Sequence, residues 1–267
     1  MRNVITLTTD FGLQDYYVSA MKAVMLGIAP DVRLVDISHE IPSQDIMAGS
    51  WVLKNSAMLF PPGTVHLVVV DPGVGTDRNA IALQIDDQYF VGPDNGIFSL
   101  LTQEQDFKAV RLSNPEYWRK ERSSTFHGRD IFAPAAAHLS QDDVALEDLG
   151  EPLDELVTYR WTVPISDKDG IEGMVIHIDK FGNLITNITK SLIEDVIGKK
   201  DVKIYVGNTI LDEIESTFGT VTEGEPVAYI GSSGMLEIGI NKGNAEEMLG
   251  VQKGAQVSLI LQKESQL

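Results

Sequence analysis

The stretch that decides the fold is Val65–Arg78, which reads VHLVVVDPGVGTDR. It opens on an apolar, β-branched run that ends at Val70 and is interrupted only by His66. A run this short and apolar is typical of a strand buried on both faces of a parallel sheet. Proline and glycine follow Asp71 at once, so the chain turns out of the sheet there. The stretch therefore predicts a buried strand that ends at a carboxylate.

A basic side chain, Arg78, follows this carboxylate a few residues later. Ligands of open α/β sheets bind at the carboxyl ends of the strands, so Asp71 and Arg78 fit a ligand site. They fit an exposed ion pair on a surface turn equally well. The stretch alone leaves both interpretations open.

The composition excludes several classes of protein. The 267 residues include 39 acidic and 21 basic ones, for a net charge of −18, which argues against nucleic acid and anionic membrane surfaces as partners. Cysteine is absent, so the chain has no disulfide, thiolate metal site or cysteine nucleophile. No apolar run approaches the ~18 residues of a membrane span, and the first residues lack a signal-peptide pattern. We therefore expect a cytoplasmic enzyme or binding protein.

Strands and helices alternate in the first half of the chain. A β-rich run ends at Asp10, a helical pattern follows, and a second strand is predicted at 32–37. A helix is predicted at about 44–60, with Ser43 as its N-cap. This β-α-β-α-β order predicts a mostly parallel sheet flanked by helices.

The pattern changes around Trp161–Gly170. Beyond it, short strands alternate with turns every eight to twelve residues or so, which is typical of a small antiparallel barrel or sandwich. We therefore predict two domains, an α/β N-terminal domain at residues 1–164 and a smaller β-rich C-terminal domain at 165–267.

Polar side chains that could carry chemistry cluster in the predicted loops of the first domain, where a rigid scaffold can hold functional groups. They are Asp10, Asp71, Arg78, His127, Arg129 and Asp130. Carboxylates and imidazole also suit a divalent metal, although no local ligand spacing supports one. His127 fits a structural histidine as well, and Asp130 fits a helix cap or a partner of Arg129.

In the second domain, an aromatic ring and an amide lie close together in Asp179-Lys180-Phe181-Gly182-Asn183. Such a pair can stack on a purine and hydrogen-bond its edge. Gly182-Asn183 fits a plain β-turn too, and residue chemistry alone favours that reading.

Six separated motifs, in order along nearly the whole chain, resemble the S-adenosylmethionine (SAM) hydroxide adenosyltransferase family, the water-using relatives of the fluorinases and chlorinases. The motifs are TTDFG at 8–12, VDPGVGTDR at 70–78, GPDNG at 92–96, FHGRD at 126–130, IDKFGNLITN at 178–187 and GSSGMLEI at 231–238. The resemblance implies a two-domain subunit and a homotrimer, with each site between one subunit's first domain and its neighbour's second.

The resemblance also implies a catalytic Asp-Arg-His triad, which falls on Asp71, Arg78 and His127. The halogenating relatives lack this triad and have an extra loop after the segment that matches 71–78. This chain has the triad and no such insertion, so the resemblance favours water over halide as the nucleophile.

The remaining positions implied by the resemblance bind the substrate. Asp10 matches the ribose-binding carboxylate, and Ser233 stands where the halogenating enzymes have an arginine for the substrate carboxylate. The other matched positions are Phe181, Asn183 and Phe218 for adenine, Asp179 and Ser232 for the methionine end, and Glu237 and Asn241 in the same segment without an assigned role.

The implied reaction is hydrolysis of SAM to adenosine and L-methionine, with water attacking the ribose C5′ carbon. SAM is the substrate, and neither a metal nor another cofactor is expected. Three alternatives stay open: halide transfer to SAM, a non-catalytic sensor of SAM or adenosine, and a metal-dependent hydrolase built on the acidic loops.

Overall fold

The computed structural model describes residues 3–103, 105–159, 163–198 and 200–262. Backbone contacts divide the chain into two compact units, Met1–Tyr159 and Arg160–Leu267. This division falls five residues before the predicted boundary between 164 and 165. Trp161, where the stretch predicted to hold the boundary begins, lies outside the described residues.

The first unit contains seven strands and four helices among its described residues, joined by short single-turn helices at 115–117, 128–132 and 146–149. The elements are β1 Val4–Thr9, α1 Tyr17–Ile28, β2 Arg33–Ser38, α2 Ile46–Ala57, β3 Val65–Val69, β4 Ala80–Ile85, β5 Gln88–Pro93, α3 Ser99–Thr102, β6 Lys108–Leu112, α4 Ala133–Leu139 and β7 Gly150–Leu153.

The sheet of the first unit is mixed, in the order β2-β1-β3-β5-β4-β6-β7. The pairs along β2-β1-β3-β5 are parallel, whereas the pairs along β5-β4-β6-β7 are antiparallel. The prediction of a mostly parallel sheet was therefore right for one half of the sheet only. The reason is the hairpin at Asp86-Asp87, where Asp86 has φ +49°: it returns the chain antiparallel, and later strands extend that edge.

Strand β3 is buried along its whole length, as its apolar run predicts. Val65, Leu67 and Val69 pack in one core with α1 and α4. Val68 and Val70 pack on the other face in a second core with α2 and α3. Two apolar faces explain why the run shows no alternation of polar and apolar residues.

The carboxyl ends of β1, β2 and β3 lie at the same edge of the sheet, because β1 pairs in parallel with both of its neighbours. The loops that leave these strands therefore meet. They carry Asp10 after β1, His39 after β2 and Asp71 after β3.

Helix α2 begins two residues later than predicted, and its N-cap is Asp45 rather than Ser43. The Asp45 side chain accepts a hydrogen bond from the Ala48 N–H at 2.9 Å. Gln44 cannot lie in the helix because its φ is +64°, in the left-handed region.

The second unit contains nine strands, two short α-helices and a single 3-10 turn at Phe218–Thr220 among its described residues. The strands and α-helices are β8 Ile165–Ser166, β9 Gly170–Ile178, β10 Leu184–Thr189, α5 Lys190–Val196, β11 Val202–Val206, β12 Thr209–Leu211, β13 Ile214–Glu215, β14 Pro226–Ile230, β15 Met235–Ile240, α6 Ala245–Leu249 and β16 Gln256–Leu261.

One sheet of order β12-β11-β16-β9-β10-β15-β14-β13 joins these strands, and β8 pairs with β9. All neighbours are antiparallel except β13 and β14. Strands β12 and β14 come into contact although they stand far apart in this order, so the sheet curls nearly into a barrel. The predicted β-rich C-terminal domain thus has the expected architecture.

Candidate active site

Asp71 and Arg78 form a nearly buried ion pair at the end of β3. The Arg78 Nε atom lies 3.0 Å from both carboxylate oxygens of Asp71, and Arg78 Nη2 also donates to Oδ2. Only 5% of the Asp71 side chain and 10% of the Arg78 side chain are exposed. A surface turn would leave both groups in water, so the alternative of an exposed ion pair is wrong.

The loop between these two residues is folded by its own turns. The Val74 N–H donates to the Asp71 carbonyl, and the Thr76 N–H and hydroxyl both donate to the Gly73 carbonyl. Gly75 has φ +79°, and a Cβ added there would lie 2.7 Å from the carbonyl oxygen of Ser124. Only glycine fits this position, so the PGVG sequence is what lets Arg78 fold back onto the strand end.

His127 joins the pair from a distant part of the chain. Its Nδ1 atom lies 3.0 Å from Arg78 Nη2. Because a guanidinium nitrogen can only donate, Nδ1 accepts, and the proton of the neutral ring is then on Nε2. Burial lowers the pKa of His127, and the positive charge of Arg78 lowers it further against the opposing effect of Asp71. His127 is therefore neutral at neutral pH.

A single π-helical turn, Gly128–Phe132, fixes the backbone just after His127. Asp130 anchors this turn: its side chain is fully buried and accepts hydrogen bonds from the Arg119 and Arg129 side chains and from the Ser123 N–H. Burial alone would raise the pKa of Asp130, but the hydrogen bond from Arg129 and the other donors hold it below its usual range. Asp130 and Arg129 therefore hold the loop that carries His127, which agrees with the structural reading of their sequence.

These contacts argue against the hypothesis that the acidic loops bind a divalent metal ion. Asp71 and Asp130 already hold guanidinium groups. Within the part of the chain that the structure describes, no three His, Cys, Asp or Glu side chains come together in a way that could hold a metal ion.

Asp10 lies beside the Asp71–Arg78 pair and is half-buried. Its Oδ2 atom accepts a hydrogen bond of 2.8 Å from the backbone N–H of Gln44. Burial raises the pKa of Asp10, the Gln44 N–H opposes this shift, and the negative charge of Asp71 adds to it. The structure thus brings together the four predicted site residues of the first unit.

An aromatic pocket of about 330 Å³, which no sequence motif indicated, lies between the segments that carry Asp10 and His127. Phe11 and Phe126 line it, and they directly follow Asp10 and directly precede His127 in the chain. The other lining residues are Tyr16, Tyr17, Ser123, Thr125 and Arg129. The aromatic residues next to Asp10 and His127 were the signal available in the sequence. A larger cavity of about 880 Å³, beside β6 and β7, contains none of the predicted site residues.

In the second unit, Asp179 organises the loop between β9 and β10. Its Oδ1 atom accepts from the N–H groups of Phe181 and Asn183, and its Oδ2 atom accepts from Asn183 Nδ2, all at 2.9 Å. Gly182 completes the turn with φ +83°. The Phe181 ring is left 74% exposed. The two interpretations of this motif, a β-turn and a site that stacks on a purine, are therefore compatible, because the turn leaves the aromatic ring exposed.

Glu237 lies near Asp179 on strand β15. Tyr229 donates a hydrogen bond of 2.9 Å to Glu237 Oε2. Burial raises the pKa of Glu237, hydrogen bonding by Tyr229 opposes the shift, and the charge of Asp179 adds to it. The Phe218 ring packs edge-on against Tyr229 at 5.0 Å between ring centres. The predicted residues Asp179, Asn183, Phe218 and Glu237 thus lie around one tyrosine that the sequence analysis did not single out.

The remaining predicted residues of the second unit differ in their surroundings. Ser232 is exposed, whereas Ser233 has a buried hydroxyl that faces Glu237. Asn241 donates to the carbonyl of Val221 at 2.8 Å, so its side chain holds the loop before β14.

Comparison with known proteins gives one consistent relationship. The SAM hydroxide adenosyltransferase N-terminal domain matches residues 5–150, and the C-terminal domain of the same family matches residues 173–258.

No helix among the described residues is long and apolar enough to cross a membrane.

The individual relatives cover almost the full chain. An (R)-S-adenosyl-L-methionine hydrolase of Thermus thermophilus is 38% identical over 97% of this chain and 100% of its own length. A fluorinase of Nocardia brasiliensis is 29% identical over 97% of each chain. The crystal structure of an uncharacterised conserved protein from Thermotoga maritima superposes with a TM-score of 0.87 at 37% identity, covering 96% of this chain and 99% of that one. This chain therefore belongs to the SAM hydroxide adenosyltransferase family.

Proposed function

We propose that this protein hydrolyses S-adenosyl-L-methionine to adenosine and L-methionine. The observation that carries the proposal is the buried Asp71–Arg78–His127 arrangement at the carboxyl edge of the first sheet. The relatives that bear the name (R)-S-adenosyl-L-methionine hydrolase, with 34–38% identity, support the same reaction.

The chemistry needs a positioned nucleophile more than an acid. The sulfonium of SAM leaves as a neutral thioether, so the electron pair of the C5′–S bond goes to sulfur without a proton. A water oxygen forms the new bond to C5′ and loses its proton. Holding that water in line with the departing sulfur can contribute roughly 7–11 kcal/mol at best.

Of the two candidate acceptors, Asp71 and His127, the hydrogen-bond directions support Asp71 as the one that takes this proton. The Nδ1 lone pair of His127 faces Arg78, and its Nε2 carries a proton, so the neutral ring has no site left to accept one. A carboxylate oxygen accepts more than one hydrogen bond, so Asp71 can hold a water while it is paired with Arg78. Asp71 then acts as the general base, and Arg78 stabilises the developing hydroxide character. His127 Nε2–H is the donor available to orient the water.

Substrate binding follows the resemblance and the local geometry. Asp10 would accept the ribose hydroxyls, and the aromatic pocket beside it offers apolar surface next to the reacting centre. In the second unit, Phe181 and Phe218 would stack on adenine while Asn183 bonds its edge. Asp179 and Ser232 would hold the methionine end.

The assembly in this proposal is a homotrimer, with each site shared between one subunit's first domain and its neighbour's second. Mixing Asp71→Asn subunits with Phe181→Ala subunits tests it. Shared sites would restore activity on mixing, because some sites would then receive two native halves. Sites within a single subunit would give no recovery of activity on mixing.

A cytoplasmic location also stays a prediction.

No metal or further cofactor takes part in this scheme, because sulfonium departure needs no Lewis acid and Arg78 supplies the positive charge. Activity that survives EDTA is the expected result, whereas the metal-dependent hydrolase predicts loss.

The deciding experiment is incubation with SAM in oxygen-18 water, with chloride and EDTA present, followed by mass spectrometry. Adenosine labelled at its 5′ oxygen is the expected product. A 5′-chloro product would indicate halide transfer. Unchanged SAM together with tight binding by calorimetry would indicate a sensor.

A further inference from the structure

The loop that carries Asp10 is clamped by the loop after β2. The Gly12 N–H donates to the His39 carbonyl at 2.8 Å, and the Ile41 N–H donates to the Thr9 carbonyl at 3.4 Å. The Gln44 N–H reaches the Asp10 carboxylate itself. Residues on both sides of Asp10 are thus held by one neighbouring segment, 39–44.

A row of buried side-chain contacts, from Thr9 through His39 to Asp36, runs between the two loops. The Thr9 hydroxyl lies 2.8 Å from His39 Nδ1, and His39 Nε2 lies 3.1 Å from Asp36 Oδ1. Thr9 is fully buried and His39 is 4% exposed. Asp36 also forms an ion pair with Lys22, whose Nζ atom lies 2.6 Å from its carboxylate, so the Asp36 end of this row of contacts is held by a charge at the surface.

The carboxylate of Asp36 can only accept, so the His39 nitrogen that faces it, Nε2, carries a proton. The other ring nitrogen, Nδ1, lies within hydrogen-bond distance of the Thr9 hydroxyl. The Thr9 oxygen then accepts the Phe11 N–H, which lies 3.3 Å away. Orientation therefore passes from Asp36 through His39 and Thr9 to the backbone directly after Asp10.

Gln44 completes the clamp at a conformational cost. Its φ of +64° is in the left-handed region, which a residue with a side chain rarely adopts. Backbone strain of this kind persists where the surroundings require it, and it clusters at functional sites. Here the strained backbone is what aims the Gln44 N–H at Asp10.

We infer that Thr9 and His39 are positioning residues for substrate recognition: through them, the loop after β2 sets the direction in which Asp10 presents its carboxylate to the ribose. They touch no reacting atom. The inference rests on the proposed ribose contact of Asp10, and its signature is selectivity at the sugar rather than stability alone.

The structure provides a matched control. Thr6 and His66 form a second buried pair, with Thr6 Oγ1 at 2.7 Å from His66 Nδ1. This pair joins the same two residue types and is equally buried, but it lies within strands β1 and β3. Thr9, by contrast, is the last residue of β1, and His39 directly follows β2. Thr6→Val and Thr9→Val therefore remove the same hydroxyl from similar surroundings.

The experiment measures binding of SAM and of 2′-deoxy-SAM by calorimetry, together with KM and kcat for both. Asp10→Asn sets the scale: a hydrogen bond to a charged group corresponds to roughly tenfold or more in affinity, so it should lower the preference for SAM by about that factor. Thr9→Val should lose about three- to tenfold of the preference through KM, with kcat changed less. Thr9→Ser keeps the hydroxyl and should therefore keep the wild-type preference for SAM over 2′-deoxy-SAM. Thr6→Val should show the wild-type preference as well.

Equal preference ratios for Thr9→Val and Thr6→Val would overturn the inference. So would an unchanged ratio in Asp10→Asn, because there would then be no ribose contact to position. Wild-type turnover of SAM is read in the same experiment and tests the proposed hydrolysis separately. The binding ratios remain measurable even if the wild type does not turn over.

Discussion

Replacing Asp71 by Asn is the most direct test of the proposed chemistry. The change keeps the shape of the side chain and one oxygen acceptor, but it removes the charge and the basicity. Asp71 is 5% exposed and paired with an Arg78 side chain that is 10% exposed, so water cannot replace the lost partner. Removing one member of such a pair costs about 3 kcal/mol of stability at the lower end of the usual range.

The effect on turnover should be larger. Positioned general bases contribute roughly 10²- to 10⁴-fold, so kcat of Asp71→Asn should fall by about that factor. This corresponds to about 3–5 kcal/mol of transition-state stabilisation. KM for SAM should change little, because Asp71 holds the water rather than the substrate.

The assay follows adenosine by liquid chromatography and mass spectrometry over a range of SAM concentrations, while calorimetry reports binding and urea unfolding reports stability. Asp77→Asn is the control, since it removes the same charge from an exposed position in the same loop. If Asp71→Asn folds, binds SAM and keeps the wild-type kcat, then the assignment of the proton to Asp71 is wrong. A loss that appears only in KM would also refute the reasoning.

Three further predictions follow from other parts of the structure. Burial of His66 lowers its pKa to about 4, so the neutral ring stabilises the fold fully above pH 6.5 and this stability is lost as the pH falls through about 4. Urea unfolding at several pH values should show a loss of roughly 3 kcal/mol over this range, and the variant His66→Asn should not show it. Asp130→Asn should lower stability by about 3–5 kcal/mol in urea unfolding and reduce turnover, because Asp130 anchors the turn after His127. Phe181→Leu should raise KM for SAM roughly tenfold with little change in kcat, since stacking on a base is worth about 1–3 kcal/mol. Steady-state kinetics with SAM check the last of these.

Local pattern was sufficient for most of the elements, because each reflects burial of its own side chains. The run at 65–70 is apolar on both faces and became β3. The β-rich character of the second unit could be predicted because turns with glycine and asparagine, such as Gly182-Asn183 and Gly207-Asn208, separate several of its short apolar runs. Strand β11, Val202–Val206, and strand β16, Gln256–Leu261, are two of these short apolar runs.

Pairing between distant segments was not predictable in the same way. The mixed sheet results from the order in which β5, β4 and β6 join its edge, and local sequence does not encode that order. The N-cap of α2 is Asp45 rather than Ser43, because Gln44 lies in the left-handed region while its N–H bonds the Asp10 carboxylate. The local capping preference of Ser43 therefore did not decide where the helix begins.

The candidate site shows the same division. That Asp10, Asp71 and His127 lie in loops could be inferred from the residues around them. That Arg78 bridges Asp71 and His127, which is 49 positions further along the chain, could not, and only the family resemblance grouped them. The roles inferred for Thr9, His39 and Gln44 depend on contacts between two loops, so the TTDFG motif, which contains Thr9, did not indicate them.

The same geometry gives a physical reason for preferring water over a halide ion. A halide that approached the position opposite the departing sulfur would bring a negative charge toward the Asp71 carboxylate, in a site where little water screens the repulsion. A water molecule can donate to that carboxylate instead, and it gains nucleophilicity as it does so. Arg78 attracts anions in general, but its Nε and Nη2 atoms are already committed to Asp71, so much of its charge is neutralised before a nucleophile arrives. In the proposed scheme, the acidic partner of the arginine, rather than the arginine itself, therefore sets which nucleophile this edge of the sheet accepts.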